Sequence, residues 1–193
     1  MTKMKKSHIL VLVMTVVLAA TSAYSLAAIN QVYNINFEWY SQYQKNYVTV
    51  PRETSLDAWQ KNETSPEVKF RAILNRTMLG NMNSKDEPYL SLYKKNDFND
   101  YIILDCSMGK VYSPNYRVKV TGIAQRGNVV EVRVSLNSPA AAELSIWDEN
   151  GTVYQPRDMV RISRSSFPIK GRLNFIFKSQ DGVKLLETYY NIV

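Results

Sequence analysis

The chain has 193 residues, of which 45% are hydrophobic and 21% are charged, a composition that allows one ordinary globular domain and little else. Its net charge is +7 at pH 7, but Lys3, Lys5 and Lys6 lie in an N-terminal segment of 27 residues that contains no acid. Removing these three lysines lowers the net charge to +4. No Lys/Arg block typical of nucleic-acid binding is present, so we expect no nucleic-acid partner.

The N-terminal segment, residues 1–27, has the pattern of a targeting signal. Basic residues up to Lys6 precede an apolar run from Ile9 to Ala20, and small residues follow around Ala23 and Ala27. This order predicts a secretory signal peptide that is cleaved near Ala23 or Ala27. An uncleaved membrane anchor stays open, because Ile9–Ile29 approaches the ~20 residues that span a bilayer. Either outcome predicts an extracytoplasmic protein, secreted or held at the cell surface, with membrane contact through this segment if it is uncleaved.

Residues 28–86 are interpreted as an aromatic linker and a possible helical region. The aromatic part fits two periodicities: Ile35, Phe37 and Trp39 alternate as in a strand, whereas Phe37, Tyr40, Tyr43 and Tyr47 are spaced as on a helix face. The pattern favours a linker or a helix that packs its aromatic rings on the domain. A segment that binds a partner or carbohydrate is the alternative.

The second half of that region contains residues typical of helix ends. Ser65 followed by Pro66 resembles an N-cap with proline at the first helical position, and Gly80 can end the helix. These signals predict a helix between Ser65 and Gly80. Val68, Phe70, Ala72 and Leu74 also alternate, which leaves a strand as the alternative.

Residues 87–193 are predicted to form an antiparallel β domain. Three short apolar runs come first, at Tyr101–Leu104, Tyr116–Val120 and Val130–Leu136, and the last two alternate apolar with polar residues. The sequence around Gly127 predicts a hairpin turn between them. Further hairpin turns are predicted at Asp148–Gly151 and Ser179–Gly182. The inward side chains are expected to be Val118, Val120, Val130, Val132, Val134, Val160 and Ile162.

Short strands at this spacing predict a mostly β fold, an antiparallel β-sandwich or a partly open barrel. The N-terminal signal or anchor helix, and one or two short helices, would precede the sheet.

The same region resembles the PrcB-like family of protease-complex subunits. The resemblance lies in Asp97-Phe98, an apolar strand, Met108-Gly109, a turn that ends at Tyr116, a Ser138-Pro139 break, and Tyr154-Gln155-Pro156 followed by Val160-Arg161-Ile162. It extends from Glu87 to Lys184. It implies an extracytoplasmic, non-catalytic accessory or binding module, and a subunit or stabiliser of a surface protease complex. The family usually has Thr-Gly-Gly-Tyr where this chain has Ser113-Pro114-Asn115-Tyr116, and it often carries an N-terminal lipid-modified Cys that this chain lacks.

Several enzyme classes are excluded by missing residue types. The single histidine, His8, lies in the targeting segment, so the rest of the chain has no Ser-His-Asp or Cys-His machinery and no imidazole metal ligand. The single cysteine, Cys106, cannot form an intramolecular disulfide, and its place on an apolar strand predicts a buried core residue. We expect no metal, no cofactor and no catalytic residues.

Two catalytic arrangements stay open. One is a glycan-directed enzyme that uses an acid pair. The other is a Ser–Lys dyad, although no Ser-x-x-Lys pairing lies in a persuasive context. The candidate acids are Asp97, Asp100, Asp105, Asp148, Glu149 and Asp158. Most of them lie at predicted turns, where Asp usually serves the local backbone, so the binding module is favoured. A domain that binds cell-wall polymer is a further alternative.

The candidate binding residues form two groups. The first is the turn Tyr112-Ser113-Pro114-Asn115-Tyr116, because tight loops on rigid sheets often recognise partners. Tyr116 can instead begin a strand with its ring in the core. The second group consists of outward cations on strands: Arg117, Lys119, Arg133, Arg161 and Lys178. If these strands are neighbours, the cations form a stripe that suits an anionic partner. An ordinary solvated sheet face is the alternative.

Overall fold

The computed structural model describes residues 14–19, 31–39, 49–50, 68–80, 97–109, 111, 115–138, 153–154 and 156–193. This part of the chain is mostly β. Its strands are β1 Val32–Asn34, β2 Glu38–Trp39, β3 Thr49–Val50, β4 Lys69–Ile73, β5 Tyr101–Ser107, β6 Arg117–Arg126, β7 Val129–Asn137, β8 Val153–Tyr154, β9 Arg157–Ser163, β10 Gly171–Ser179 and β11 Lys184–Ile192. Helical residues are few: 14–19, the single turn Arg76–Gly80 and the 3₁₀ turn Arg164–Ser166.

No helix among these residues has both the length and the apolar character to cross a membrane. The predicted targeting segment is described only at residues 14–19, so its cleavage sites at Ala23 and Ala27 lie outside the described residues.

The strands form two larger sheets and one small pair. The A sheet has the order β1-β6-β7-β10-β11, the B sheet has the order β2-β9-β5-β4, and β3 pairs with β8. All neighbouring strands are antiparallel except β7 and β10, which are parallel. The prediction of a wholly antiparallel domain is therefore wrong at this pair.

The chain path explains the parallel pair. Strand β7 ends at Asn137 and β10 begins at Gly171, and between them the chain supplies β9 to the B sheet. Parallel neighbours require such a crossover, whereas a tight turn can only produce antiparallel ones. Local patterning along β7 or β10 carries no information about this route.

One hydrophobic core is formed by residues of both sheets. The seven residues predicted to point inward are all fully buried, which confirms the predicted register: Val118, Val120, Val130, Val132, Val134, Val160 and Ile162. Phe175 and Phe177 of β10 join them from the A sheet, and Leu104 of β5 joins from the B sheet. Alternation at period two thus places the apolar side of the A sheet against the B sheet, whose strands β5 and β9 are buried on both sides.

A β-bulge at Thr121 changes the register of β6. Val120 pairs with Val134, but Gly122 pairs with Arg133, so Thr121 is an extra residue on this strand. Before the bulge the even-numbered residues are buried, and after it Ile123 and the odd-numbered residues are buried. The bulge therefore keeps both halves of a ten-residue strand packed on one core.

Two of the three predicted hairpin turns are confirmed. Gly127 joins β6 to β7 with φ of 56°, a conformation that favours glycine. Gly182 has φ of 79°, and its N–H donates to the Ser179 carbonyl at 3.0 Å in the turn between β10 and β11. The predicted turn at Asp148–Gly151 lies outside the described residues.

The helix predicted from Ser65 to Gly80 is wrong over Lys69–Ile73, which forms strand β4 beside β5. The helical conformation is confined to Arg76–Gly80. The alternation of Phe70 and Ala72 decides the outcome, because both side chains pack toward the core and the Phe70 ring stacks on Phe177 with centroids 5.1 Å apart. Tertiary packing overrides the local capping signals here.

The aromatic segment 31–39, which fitted either a strand or a helix, supplies strand β1 to the A sheet and β2 to the B sheet. Between them Ile35 is buried, and its N–H donates to the Ile123 carbonyl at 2.9 Å. Phe37 packs against the core, whereas Trp39 remains 49% exposed. This short segment therefore passes from one sheet to the other along one side of the domain.

Candidate functional site: the outer face of the A sheet

The outer face of the A sheet is strongly cationic. We use this name for the side of β6, β7, β10 and β11 that points away from the core. Its charged residues are Arg117, Lys119, Arg126, Arg133, Arg172, Lys178 and Lys184, with Glu131 and Glu187 as the acids. Seven cations against two carboxylates leave a net charge of +5 on the strands that form this face. Four of the five cations predicted from the sequence lie here.

Glu131 partly neutralises the middle of this face. Its carboxylate accepts a hydrogen bond from Arg133 Nε at 3.1 Å and forms an ion pair with Lys178 of the neighbouring strand. The hydrogen bond from Lys178 is the main reason why the pKa of the Glu131 carboxyl is lowered, and Arg133 lowers it further. The contact between Glu131 and Arg133 was predictable from the sequence, because residues two apart on one strand share a face.

A second carboxylate, Glu187, lies toward the β11 edge. It receives hydrogen bonds from Lys184 Nζ at 2.8 Å and from Asn174 Nδ2 at 2.8 Å. These bonds, that of Lys184 first, lower the pKa of the Glu187 carboxyl. The sequence did not predict that Lys184 and Glu187 lie on this face, because their position depends on the pairing of β11 with β10.

Three other cations of the face, Lys119, Arg172 and Arg117, keep their charge available. Lys119 Nζ lies 5.0 Å from the centre of the Trp39 ring, and the Arg172 guanidinium lies 4.9 Å from the centre of the Tyr189 ring. Contact with an aromatic ring orients a cation without neutralising it. Arg117 is exposed and forms no ion pair with any residue that the structure describes. Positive charge is therefore present at both ends of the face.

Arg161, the fifth predicted cation, does not belong to this face. Strand β9 lies in the B sheet, where Arg161 forms an ion pair with Glu38 of β2, and its guanidinium lies 4.4 Å from the centre of the Tyr101 ring. Its outward register was predictable from alternation. Its sheet was not, because strand neighbours are set by the path of the whole chain.

The predicted turn is described only in part. Tyr112, Ser113 and Pro114 lie outside the described residues, and Asn115 is in a turn before β6. Tyr116 is half-buried, lies directly before β6 and packs against the core.

Asp105 is held in a buried ion-pair cluster. Only 2% of this residue is exposed, and its carboxylate contacts Arg71 Nη2 at 2.6 Å and Arg157 Nε at 3.4 Å. The ladder aligns Asp105 with Met159, and Cys106 with Asp158. Because neighbouring residues on a strand point to opposite faces, Asp105 and Asp158 lie on opposite sides of the B sheet. This placement does not provide the facing carboxylates that a glycosidase needs.

Asp158 points into the space between the sheets. Its Oδ2 accepts a hydrogen bond from the Val120 N–H of β6 at 2.6 Å. Burial raises the pKa of the Asp158 carboxyl, against the lowering effects of this bond and of Lys119. The carboxylate therefore satisfies a backbone group of the opposite sheet.

Of the other candidate acids, Asp97 has a local role, Asp100 is exposed, and two lie outside the described residues. Asp97 Oδ1 accepts a hydrogen bond from the Asn99 N–H at 2.9 Å, and the Asp100 carbonyl accepts one from the Arg164 N–H at 2.8 Å. Asp148 and Glu149 are not among the described residues. Within those residues, no group of three His, Cys, Asp or Glu side chains could hold a metal ion.

Cys106 is a core residue, as predicted. It is fully buried, and burial raises the pKa of its thiol well above the ordinary value, with smaller contributions from Asp105 and Asp158. A neutral, inaccessible thiol is a poor nucleophile.

Comparison of the chain with protein-family models, with curated proteins and with solved structures found no match. The resemblance to the PrcB-like family stays a prediction from the sequence.

Proposed function

We propose that this protein is an exported, non-catalytic binding module that holds a protein partner against the outer face of the A sheet. The observation that carries the proposal is the excess of seven Lys/Arg over two Glu on that face. A face of one sign attracts a surface of the opposite sign and accelerates association. The partner's contact surface is therefore acidic.

The fold suits this role. We classify the two sheets around one core as a β-sandwich rather than a partly open barrel. A rigid sandwich presents its sheet face as a preformed surface, so that little conformational entropy is lost on binding. The resemblance to the PrcB-like family supports an exported protease as the class of partner, and the N-terminal pattern supports an extracytoplasmic location.

The test is a cross-linking capture from the surface of the host, followed by affinity measurements with the captured protein. Arg117→Glu and Arg172→Glu reverse charges at opposite ends of the face. We expect each substitution to weaken binding about three- to tenfold. The affinity of the unmodified chain should also fall at high salt, because salt screens the attraction. Lys170→Glu is the matched control, because Lys170 is exposed in the loop before β10 and outside the face.

The control also defines failure. An equal loss of affinity in Lys170→Glu would show that net charge, not this face, governs binding. A hydrolytic activity that disappears in Asp105→Asn, in a protein that still folds, would favour the carboxylate enzyme instead.

A further inference from the structure

Three of the four edges of the A and B sheets, those at β1, β2 and β4, are short or closed by the described residues. Strands β1 and β2 have three and two residues. Beyond β1, two hydrogen bonds occupy the edge of β6. The Asp158 carboxylate accepts one from the Val120 N–H, and the Ile35 N–H donates one to the Ile123 carbonyl. The edge of β4 is capped where Ala72 N–H donates to the Tyr190 hydroxyl at 2.9 Å. Short or capped edges offer few free backbone groups to another strand.

Strand β11 is different, because its nine residues form the last strand of the A sheet. On β10, Asn174 N–H donates to the Asn128 carbonyl, so Asn174 faces β7. Its neighbour Phe175 therefore faces β11 and pairs with Thr188. Alternation then turns the backbone N–H and C=O groups of three β11 residues to the open side: Glu187, Tyr189 and Asn191.

Nothing in the described residues pairs with this open side. The side chains of the same three residues are exposed, Tyr189 by 52%. Lys184–Ile192 contains no proline, and its one central charge, Glu187, is paired with Lys184 at 2.8 Å. A long edge without such protection is a template for another strand.

The charge of the face decides between two occupants of this edge. A second copy would pair β11 with β11 and place two faces of net charge +5 side by side, which is repulsive. A strand that carries acids on its outward side would lie near Lys184, which also pairs with Glu187, and near Arg172 on the adjoining strand, in the field of a face with net charge +5. Electrostatics therefore favours an acidic segment over a second copy.

We propose that the free edge of β11 binds an extended acidic segment of the protein partner as an added strand of the A sheet. This inference rests on the proposed function and specifies how the partner is held. Backbone hydrogen bonds to Glu187, Tyr189 and Asn191 supply affinity, and alternate side chains supply selectivity.

The probe is a phage-displayed library of random peptides of about twelve residues, enough to cover the strand, selected on the full-length chain. Selected peptides are expected to alternate Asp or Glu with β-branched residues and to lack proline. Tyr189→Pro removes one N–H on the open side and spares the bonds to β10, as proline is tolerated on edge strands. It should weaken binding at least tenfold, as should Asn191→Pro.

Tyr189→Thr is the matched control, because it removes the ring and its contact with Arg172 but keeps the backbone N–H. Its binding should stay within about threefold of that of the unmodified chain, since the backbone carries the contact. Circular dichroism and thermal unfolding establish that each variant folds.

Amide hydrogen exchange adds a readout that does not depend on substitutions. In the free protein the amides of Tyr189 and Asn191 should exchange fast, while that of Thr188 is protected by β10. Bound peptide should slow the exchange of the Tyr189 and Asn191 amides at least tenfold and leave the exchange of the Thr188 amide unchanged.

The outcomes separate the two proposals. Acidic peptides that bind the unmodified chain and Tyr189→Pro equally would overturn the edge inference and leave the cationic face as the site. Selection without acidic enrichment would overturn both. A concentration-dependent dimer that Tyr189→Pro abolishes would assign the edge to a second copy, which also overturns the inference.

Discussion

Asp158 of the B sheet and Val120 of the A sheet are joined by a 2.6 Å hydrogen bond from the Val120 N–H to the Asp158 carboxylate. The carboxylate is almost fully buried. Strand β1 reaches along β6 only from Ala124 to Arg126, so it does not pair with Val120. The bond thus gives an acceptor to a backbone N–H that has no partner strand, and it links the two sheets.

The first prediction concerns this bond. Asp158→Ala should lower the free energy of unfolding by about 1–3 kcal/mol, because the buried Val120 N–H loses its acceptor. Asp158→Asn keeps an acceptor oxygen at the same place and should cost less. Urea unfolding of the three proteins at neutral pH measures both effects. Equal costs would mean that the hydrogen bond has no special contribution.

The second prediction concerns pH. Because burial raises the pKa of Asp158 in the folded protein, the folded state binds the proton more tightly than the unfolded state does. This tighter proton binding by Asp158 contributes fully to the free energy of unfolding below the unfolded pKa of about 3.9. The contribution is lost as pH rises through the folded pKa. The free energy of unfolding of the unmodified chain, minus that of Asp158→Asn, should therefore fall as pH rises from about 3 to 7. A constant difference would contradict the raised pKa.

The third prediction compares two neighbours on β7. Val132 is fully buried, so Val132→Ala should cost about 1–3 kcal/mol through the cavity it leaves. The Arg133 side chain is 67% exposed, and its ion pair with Glu131 is at the surface, so Arg133→Ala should cost less than about 0.5 kcal/mol. Chemical denaturation of both variants checks the register. Similar costs at the two positions would contradict it.

The fourth prediction is chemical. Cys106 is fully buried, and its thiol pKa is raised. A thiol reagent at mildly alkaline pH should therefore label the folded protein at least about 100-fold more slowly than the urea-unfolded chain. The unfolded chain is the control for reagent activity. Fast labelling of the folded protein would show that this strand opens readily or that the thiol is reactive.

The sequence was informative wherever structure depends on neighbours along the chain. The alternation of Val130, Val132 and Val134 predicted the buried side of β7, and Gly127 and Gly182 marked the turns that join adjacent strands. Both signals are local: side chains alternate with every residue, and a turn needs particular backbone angles.

Features that depend on distant pairing were not predictable. The capping pattern at Ser65 and Pro66 favoured a helix, but β4 gains its stability from β5, more than thirty residues away, as the pair Arg71–Asp105 illustrates. For the same reason, the outward register of Arg161 was readable but its place in the B sheet was not. The extra residue Thr121 left no signal that alternation alone could detect.

The candidate site shows the same division. The outward positions of Lys119, Arg133 and Lys178 followed from alternation. Their grouping on one face with Arg172 and Lys184 required the order β6-β7-β10-β11, which only the assembled sheet reveals.

The crossover of the chain through the B sheet between β7 and β10 has a consequence for folding kinetics. Strand β10 pairs with β7 only when the chain between Asn137 and Gly171, which contains β9, closes as one long loop. The closure of this loop costs entropy before the non-local contacts form, so it slows folding. We expect both sheets to form in a single cooperative event, and a nascent chain that ends at Asn137 to lack a stable version of either.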